Sequence, residues 1–240
     1  MPPDLFPQAP RSPLRLRLKG EWACFTRPEF KAERMSYPVM TPSAARGCIE
    51  AVFWKPVIAW VIERIYVCAP VHWGNVRRNE VGKRMGEGGG IFIESDRQQR
   101  NTMALRDVDY VVEARFHFTE KERRPEETPL KFIECFERRV RKGQCFNQPV
   151  LGCREFAADF EPVPQDWNFE PPPDLADNTQ DLGWMLLDLR YGKKPPHQPE
   201  FFHACLHRGL LTGVKEDGSP TARLPYLFES QPALSASEAQ

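Results

Sequence analysis

No stretch of this sequence is apolar for long enough to cross a bilayer. The longest candidate, Val57 to Cys68, is interrupted by Glu63 and Arg64, whereas a membrane helix needs about 20 consecutive apolar residues. The opening MPPDLFPQAPRSP lacks the apolar core of a secretory signal, so the expectation is a soluble cytoplasmic protein with no membrane association. Paired cysteines are missing as well. The seven, at 24, 48, 68, 135, 145, 153 and 205, form no C-x-x-C pair and have no nearby histidine partner. That argues against a disulfide framework or a zinc site and for reduced thiols. There is no HExxH helix, no compact carboxylate cluster at ligand spacing and no GK[ST] after the glycines, so neither a metal nor another cofactor is expected.

Net charge is the last absence, with 33 Lys and Arg balanced by 33 Asp and Glu, but the balance is unevenly spread. Residues 1–160 carry 27 basic against 21 acidic side chains, net +6, and residues 161–240 carry 6 against 12, net −6. A polyanion would bind the first part.

At 240 residues and 41% hydrophobic, the chain can bury a sizeable core, as one elaborated domain or as a domain with a smaller appendage. Its centre is SYPVMTPSAARGCIEAVFWKP, Ser36 to Pro56. Thr41 can cap a helix, Pro42 suits the first helical position, and Pro56 forbids continuation. Ala44, Ala45, Cys48, Ile49, Val52 and Phe53 share one face of it. The β-branched and aromatic run from Val57 to Cys68 then reads as a long buried strand.

Upstream, Leu14, Leu16 and Leu18 alternate with Arg15, Arg17 and Lys19, a strand whose cationic face is either solvated or a phosphate contact. Glu21 to Met35 is a loop-rich connection with Arg27, Lys31 and Arg34 among aromatics. Trp73 to Met103 loses periodicity and includes four glycines between Gly86 and Gly90, the pattern of a long basic loop or irregular hairpin that is either a flap over a nucleic-acid backbone or simply disordered. From Asp107 a strand is clear, with Val108, Tyr110, Val112, Ala114, Phe116 and Phe118 on one face. Leu130, Ile133, Phe136 and Val140 mark a helix from Leu130 to Lys142 that Gly143 closes, and Val150 to Phe160 reads as another strand.

The order strand, helix, strand, strand, helix, strand is that of an α+β, ferredoxin-like or RNA-recognition-motif-like βαββαβ domain, with a long basic glycine-rich insertion after its second strand. The expected division is a flexible tail over 1–13, this domain over 14–160, a proline-rich linker over 161–180, a small β-rich C-terminal part over 181–229 and a disordered tail over 230–240.

At SYPVMTPSAARG, WKP, NVRRNEV, DRQQR, the segment from Arg138 to Phe156 and DLGWMLLDL, the chain closely resembles the CRISPR-associated (Cas) family five proteins of type I-C, the Dvulg subtype. The resemblance spans roughly Leu14 to Leu211 and implies the same fold. It also implies a metal-independent endoribonuclease that cuts the repeat of precursor CRISPR RNA after its stem-loop. The product's 5′ handle would stay bound, with the protein a subunit of the type I-C surveillance complex (Cascade) beside the backbone and large subunits.

The resemblance further implies a catalytic set of a Tyr or His just before WKP and a Lys-His pair opening the second helix. Here those positions read Phe53, Lys131 and Phe132. Lys131 can supply charge to a phosphorane, whereas a phenylalanine can neither exchange a proton nor hydrogen-bond a phosphate. Displaced proton carriers would be His72 or His117. The basic residues expected on the RNA backbone are Arg27, Lys31, Arg77, Arg78, Arg97, Arg100, Arg138 and Arg139. Two functions compete: a repeat-processing nuclease, and a structural subunit that caps the 5′ handle while another nuclease does the cutting.

Overall fold

A 22-residue strand, β5 (Arg97–Phe118), is the axis around which the rest of the sheet is laid down. The computed structural model describes residues 13–30, 32–83, 86, 90–190, 198–214, 219–221 and 224–225. In chain order these form β1 (Leu14–Ala23), β2 (Arg34–Met35), α1 (Pro42–Val52), β3 (Ile58–Val67), β4 (His72–Val81) and a turn of helix, α2 (Ile93–Asp96). After β5 come α3 (Pro129–Arg141), β6 (Asp159–Glu161), another helical turn, α4 (Pro173–Ala176), then β7 (Thr179–Arg190), β8 (Gln198–His207) and β9 (Leu210–Gly213). The architecture is mixed α+β, a mostly antiparallel sheet with few helices.

One edge of β5 takes β3 and then β4; the other takes β1, with β2 alongside. The sheet runs β6-β1-β5-β3-β9-β8-β7, so β9 pairs directly with β3 and the C-terminal strands extend the same sheet. Leu14, Leu16 and Leu18 of β1 are buried, as alternation predicts. Its cationic face is consumed within the fold. Arg15 Nε lies 2.8 Å from Glu113, Arg17 grips Asp109 through two hydrogen bonds of 2.9 and 2.7 Å, and Lys19 reaches Glu161 at 2.7 Å. Glu113, only 1% exposed, is also held by Arg64 at 3.1 Å, so a buried carboxylate is compensated by two guanidinium groups.

The start of α1 is where the sequence places it, and α3 starts at Pro129, one residue before the expected Leu130. Thr41 Oγ1 accepts from the Ala44 N–H and Thr128 Oγ1 from the Lys131 N–H, each at 3.3 Å and each followed by proline. On α3 the buried face is Phe132, Phe136 and Val140, with Ile133 partly covered and Leu130 63% exposed. The apolar stripe is therefore turned from the one read through Leu130, because Phe132 rather than Leu130 meets the sheet.

Two other expectations change. Within Trp73 to Met103 the described residues include a regular antiparallel pairing of β4 with β5, its ten register pairs running from His72↔Arg106 to Val81↔Arg97. Both of its faces carry polar residues, which hides the period-two signal. The expected glycine cluster falls partly on residues outside those described. Val150 to Phe160 is mostly not a strand: only Asp159–Glu161 pairs with β1, beyond a single Val150↔Ala157 bridge. Gly152 has φ +87°, and a Cβ there would stand 2.1 Å from the Cys24 carbonyl oxygen, so the chain turns sharply against β1 where an extended run was read. Among the described residues no helix is long and apolar enough to cross a membrane.

Candidate functional site

The last carbonyls of a helix need partners from outside it. At the end of α1, Ala51 O accepts from the N–H groups of Phe146 and Asn147 at 2.8 and 3.1 Å. Val52 O accepts from Arg139 Nη1 at 2.6 Å, and Phe53 O from Trp60 Nε1 at 2.9 Å. The end of α1 is thus tied to α3, to the loop beyond it and to β3.

This junction brings the three family positions together. Phe53 and Phe132 are each 3% exposed, with ring centroids 5.9 Å apart. Phe132 also packs on Phe116 and Phe118, at 6.2 and 5.9 Å. Lys131, one residue away, is exposed and in no ion pair among the described residues. The Arg139 guanidinium lies over the Phe53 ring at 5.4 Å, and that of Arg123, in the loop before α3, lies over Phe118 at 3.9 Å. The arrangement is an aromatic floor bordered by three cations. It can attract and hold an anion, and Phe53 and Phe132 bring no proton carrier to it.

The other expected contacts divide by their partners. Arg77 and Arg97 are exposed on the hairpin. Their register pairs, Asn101 and Val81, put them on one face with Asn75, Asn79, Gln99 and the partly exposed Trp73 and Met103, a strip with no carboxylate. Arg78 and Arg100 point to the opposite face. Arg78 bonds to Glu155 and Thr102, and Arg100 to the Ala32 carbonyl and Gln98, with Glu80 at 3.5 Å. Arg27 sits over the Tyr37 ring at 4.9 Å with Glu29 at 3.5 Å. Arg138 is exposed beside Cys135, and Arg139 spends one donor on Val52. Lys31 lies outside the described residues.

The fold brings neither histidine to Lys131. His72 is exposed and pairs with Arg106, while His117 pairs with Ala59 toward the other end of β5. At about 3.3 Å per residue the two register positions are roughly 35 Å apart. His117 alternates with Phe116 and Phe118, so it points away from the face that Phe132 covers. It is part-buried, and that burial lowers its pKa from the ordinary value. Among the described residues no three His, Cys, Asp or Glu side chains are grouped to hold a metal.

Three residues at the junction escaped the sequence reading: Arg123, Trp54 and Phe146. Trp54 is 52% and Phe146 79% exposed. Phe146 carried a signal, a large aromatic among Gln144, Asn147 and Gln148, whereas Trp54 follows Val52 and Phe53 and reads as the end of an apolar face.

Residues 13–220 match the family model described as CRISPR-associated protein (Cas_Cas5), in its Cas5d form. Two curated relatives bear the name CRISPR pre-crRNA endoribonuclease Cas5d. That of Mannheimia succiniciproducens is 45% identical over 213 residues, covering 82% of this chain and 93% of the relative. That of Thermus thermophilus is 43% identical over 219 residues, covering 82% and 90%. Among solved structures, the functionally uncharacterized protein SMU1763c from Streptococcus mutans aligns with a TM-score of 0.62 at 24% identity, over 86% of this chain and 94% of that one. A structure described as a CRISPR-associated protein aligns with a TM-score of 0.62 at 23% identity, over 85% and 92%. The architecture is shared with CRISPR-associated proteins. Within them, the chain belongs to the Cas5 family of type I-C, the Cas5d proteins.

Proposed function

We propose that this protein binds the repeat of precursor CRISPR RNA and cleaves it without a metal, then remains on the 5′ handle as a subunit of the type I-C surveillance complex. The observation that carries the reading is the exposed Lys131 beside Phe53 and Phe132 at a cation-bordered junction, in a chain 45% identical to a pre-crRNA endoribonuclease. The strand order β6-β1-β5-β3, with α1 and α3 as the two crossovers, supports a ferredoxin-like unit over 14–160 with the hairpin inserted after β3. The C-terminal part, net −6, would repel RNA and face protein partners in a cytoplasmic complex with backbone and large subunits.

In the proposed reaction the 2′-hydroxyl oxygen next to the scissile bond attacks phosphorus as its proton leaves to water. The P–O5′ bond breaks and the 5′-oxygen takes up a proton, giving a 2′,3′-cyclic phosphate and a 5′-hydroxyl. Lys131, with Arg139 and Arg123, stabilises the crowded anionic phosphorane and holds the phosphate in line. Water must carry the protons that a Tyr or His would otherwise handle at 53 and 132, a loss of about 10²–10⁴ in rate for each general acid or base. Burial of both phenylalanines in one aromatic cluster favours a second reading, a subunit that binds the handle tightly and cuts little.

The test is binding and single-turnover cleavage of an end-labelled repeat in excess chelator, with the product ends identified. Expected are affinity that falls steeply with salt, slow cleavage unaffected by chelator, and cyclic-phosphate termini. Affinity indifferent to salt, or cutting that chelator abolishes, would refute the proposal.

A further inference from the structure

Trp54 and Phe146 are large apolar side chains left in water where the neighbouring backbone is held fast. Phe146 N–H is bonded to Ala51 O at 2.8 Å, and Trp54 follows Phe53, whose carbonyl is bonded to Trp60. Both aromatics therefore project from the pinned end of α1. Exposed Lys55 and Lys142 flank them, with Arg138 one turn back along α3. From Pro129 to Lys142 the five cations Lys131, Arg138, Arg139, Arg141 and Lys142 outnumber Glu134 and Glu137.

A groove of about 860 Å³ starts at Trp54 and follows α1 back to Thr41, between the 147–152 loop and β7. Its walls offer hydrogen-bonding groups, among them Ser43, Asn147 and Gln148, and two carboxylates, Glu50 and Asp188, both of which hold Arg46 in ion pairs. Gln148 Nε2 donates to the Ala158 carbonyl at 2.8 Å, which fixes that side chain in place. An aromatic surface bordered by cations, opening into a polar groove, matches the chemistry of single-stranded nucleic acid, whose bases stack while its phosphates are neutralised. Protein interfaces also gather aromatics and arginine but are depleted in lysine, whereas exposed Lys55 and Lys142 flank this surface.

We infer that Trp54 and Phe146 form a stacking platform for unpaired RNA nucleotides next to the scissile phosphate, and that the groove along α1 receives the edge of a stacked base. This rests on the proposed function and adds to it a binding site for the single-stranded flank of the repeat. Stacking there would orient the 2′-hydroxyl for in-line attack at Lys131, a positioning role distinct from charge stabilisation.

The experiment measures affinity and single-turnover cleavage for the full chain with intact repeat RNA and with repeats carrying one abasic nucleotide at each flanking position. Trp54→Ala and Phe146→Ala are compared with the aromatic replacements Trp54→Phe and Phe146→Tyr. Each alanine variant is expected to bind about 5- to 100-fold more weakly, the range for one lost base–aromatic stack. The aromatic replacements should restore binding. At one or two abasic positions the wild type should bind as weakly as an alanine variant binds intact RNA, with no further loss when the two changes are combined.

Tight wild-type binding that both alanine variants leave unchanged would overturn the platform and spare the proposed function. So would alanine variants that keep their RNA affinity but fail to assemble with the other complex subunits, since the surface would then be a protein interface. A wild type that binds the repeat no better than an unrelated RNA would strike at the proposed function itself.

Discussion

The cations of β1 and those of α3 are equally dense in sequence and opposite in fate. Arg15, Arg17 and Lys19 each meet a carboxylate across the sheet, from Glu113, Asp109 or Glu161. Lys131, Arg138, Arg141 and Lys142 form no ion pair among the described residues, and Arg139 turns to a carbonyl and an aromatic ring. A basic stripe is available to a polyanion only where tertiary structure has not already neutralised it. The hairpin repeats the contrast at a smaller scale, with Arg77 and Arg97 outward and Arg78 and Arg100 engaged within the fold.

Removing charge from each region should separate stability from binding. Changing both Arg15 and Arg64 to Met strands the buried Glu113 and should cost about 3 kcal/mol of unfolding free energy. Repeat affinity, measured where the variant is folded, should stay within about twofold. The double change of Arg138 and Lys142 to Gln should do the reverse. Stability should hold within about 0.5 kcal/mol, as for exposed sites. The log–log slope of affinity against salt should become shallower by about 2. Denaturant titration together with a salt series on both variants checks the pair, and equal effects of both variants on RNA binding would show that the β1 cations also reach RNA.

A smaller effect sharpens the sheet side. Burial holds the folded-state pKa of His117 below its unfolded value of about 6.5. Above that pH both states are neutral. Below it the unfolded chain takes up a proton that the folded chain resists, so stability falls as pH drops from about 6.5 toward the folded-state value. Urea midpoints at pH 7.5 and 5.5 should fall more for the wild type than for His117→Gln, and an identical drop in both would contradict the assignment.

Much of the fold was legible because its signals are local. Thr41-Pro42 starts a helix, and Val108 to Phe118 alternates as a half-buried strand must. The hairpin and the 150–160 segment were not legible for different reasons. The hairpin has no apolar face to display a period, and a single glycine with positive φ turns a strand-like composition into a loop. At the candidate site, proximity of Phe53, Lys131 and Phe132 followed from the family resemblance, and the structure brings them together. The neutralising partners lay far away in sequence: Glu155 pairs with both Arg34 and Arg78, and Asp188 with Arg46. No local pattern reveals such pairs.

In the proposed reaction Lys131 supplies the charge for cleavage while Phe53 and Phe132 withhold the proton carriers. This is tested most directly by single-turnover cleavage of labelled repeat RNA in excess chelator, comparing wild type, Lys131→Ala and the double variant Phe53→Tyr with Phe132→His. Because 53 and 132 lie in an aromatic cluster, the double variant is assayed below its measured Tm. Slow cleavage is expected of the wild type and none detectable of Lys131→Ala. The double variant should cut faster by more than the product of the two single changes, and by more than the roughly 10²–10⁴ of one restored acid or base. Fast cleavage by wild type that Lys131→Ala leaves equally fast would contradict this role for Lys131.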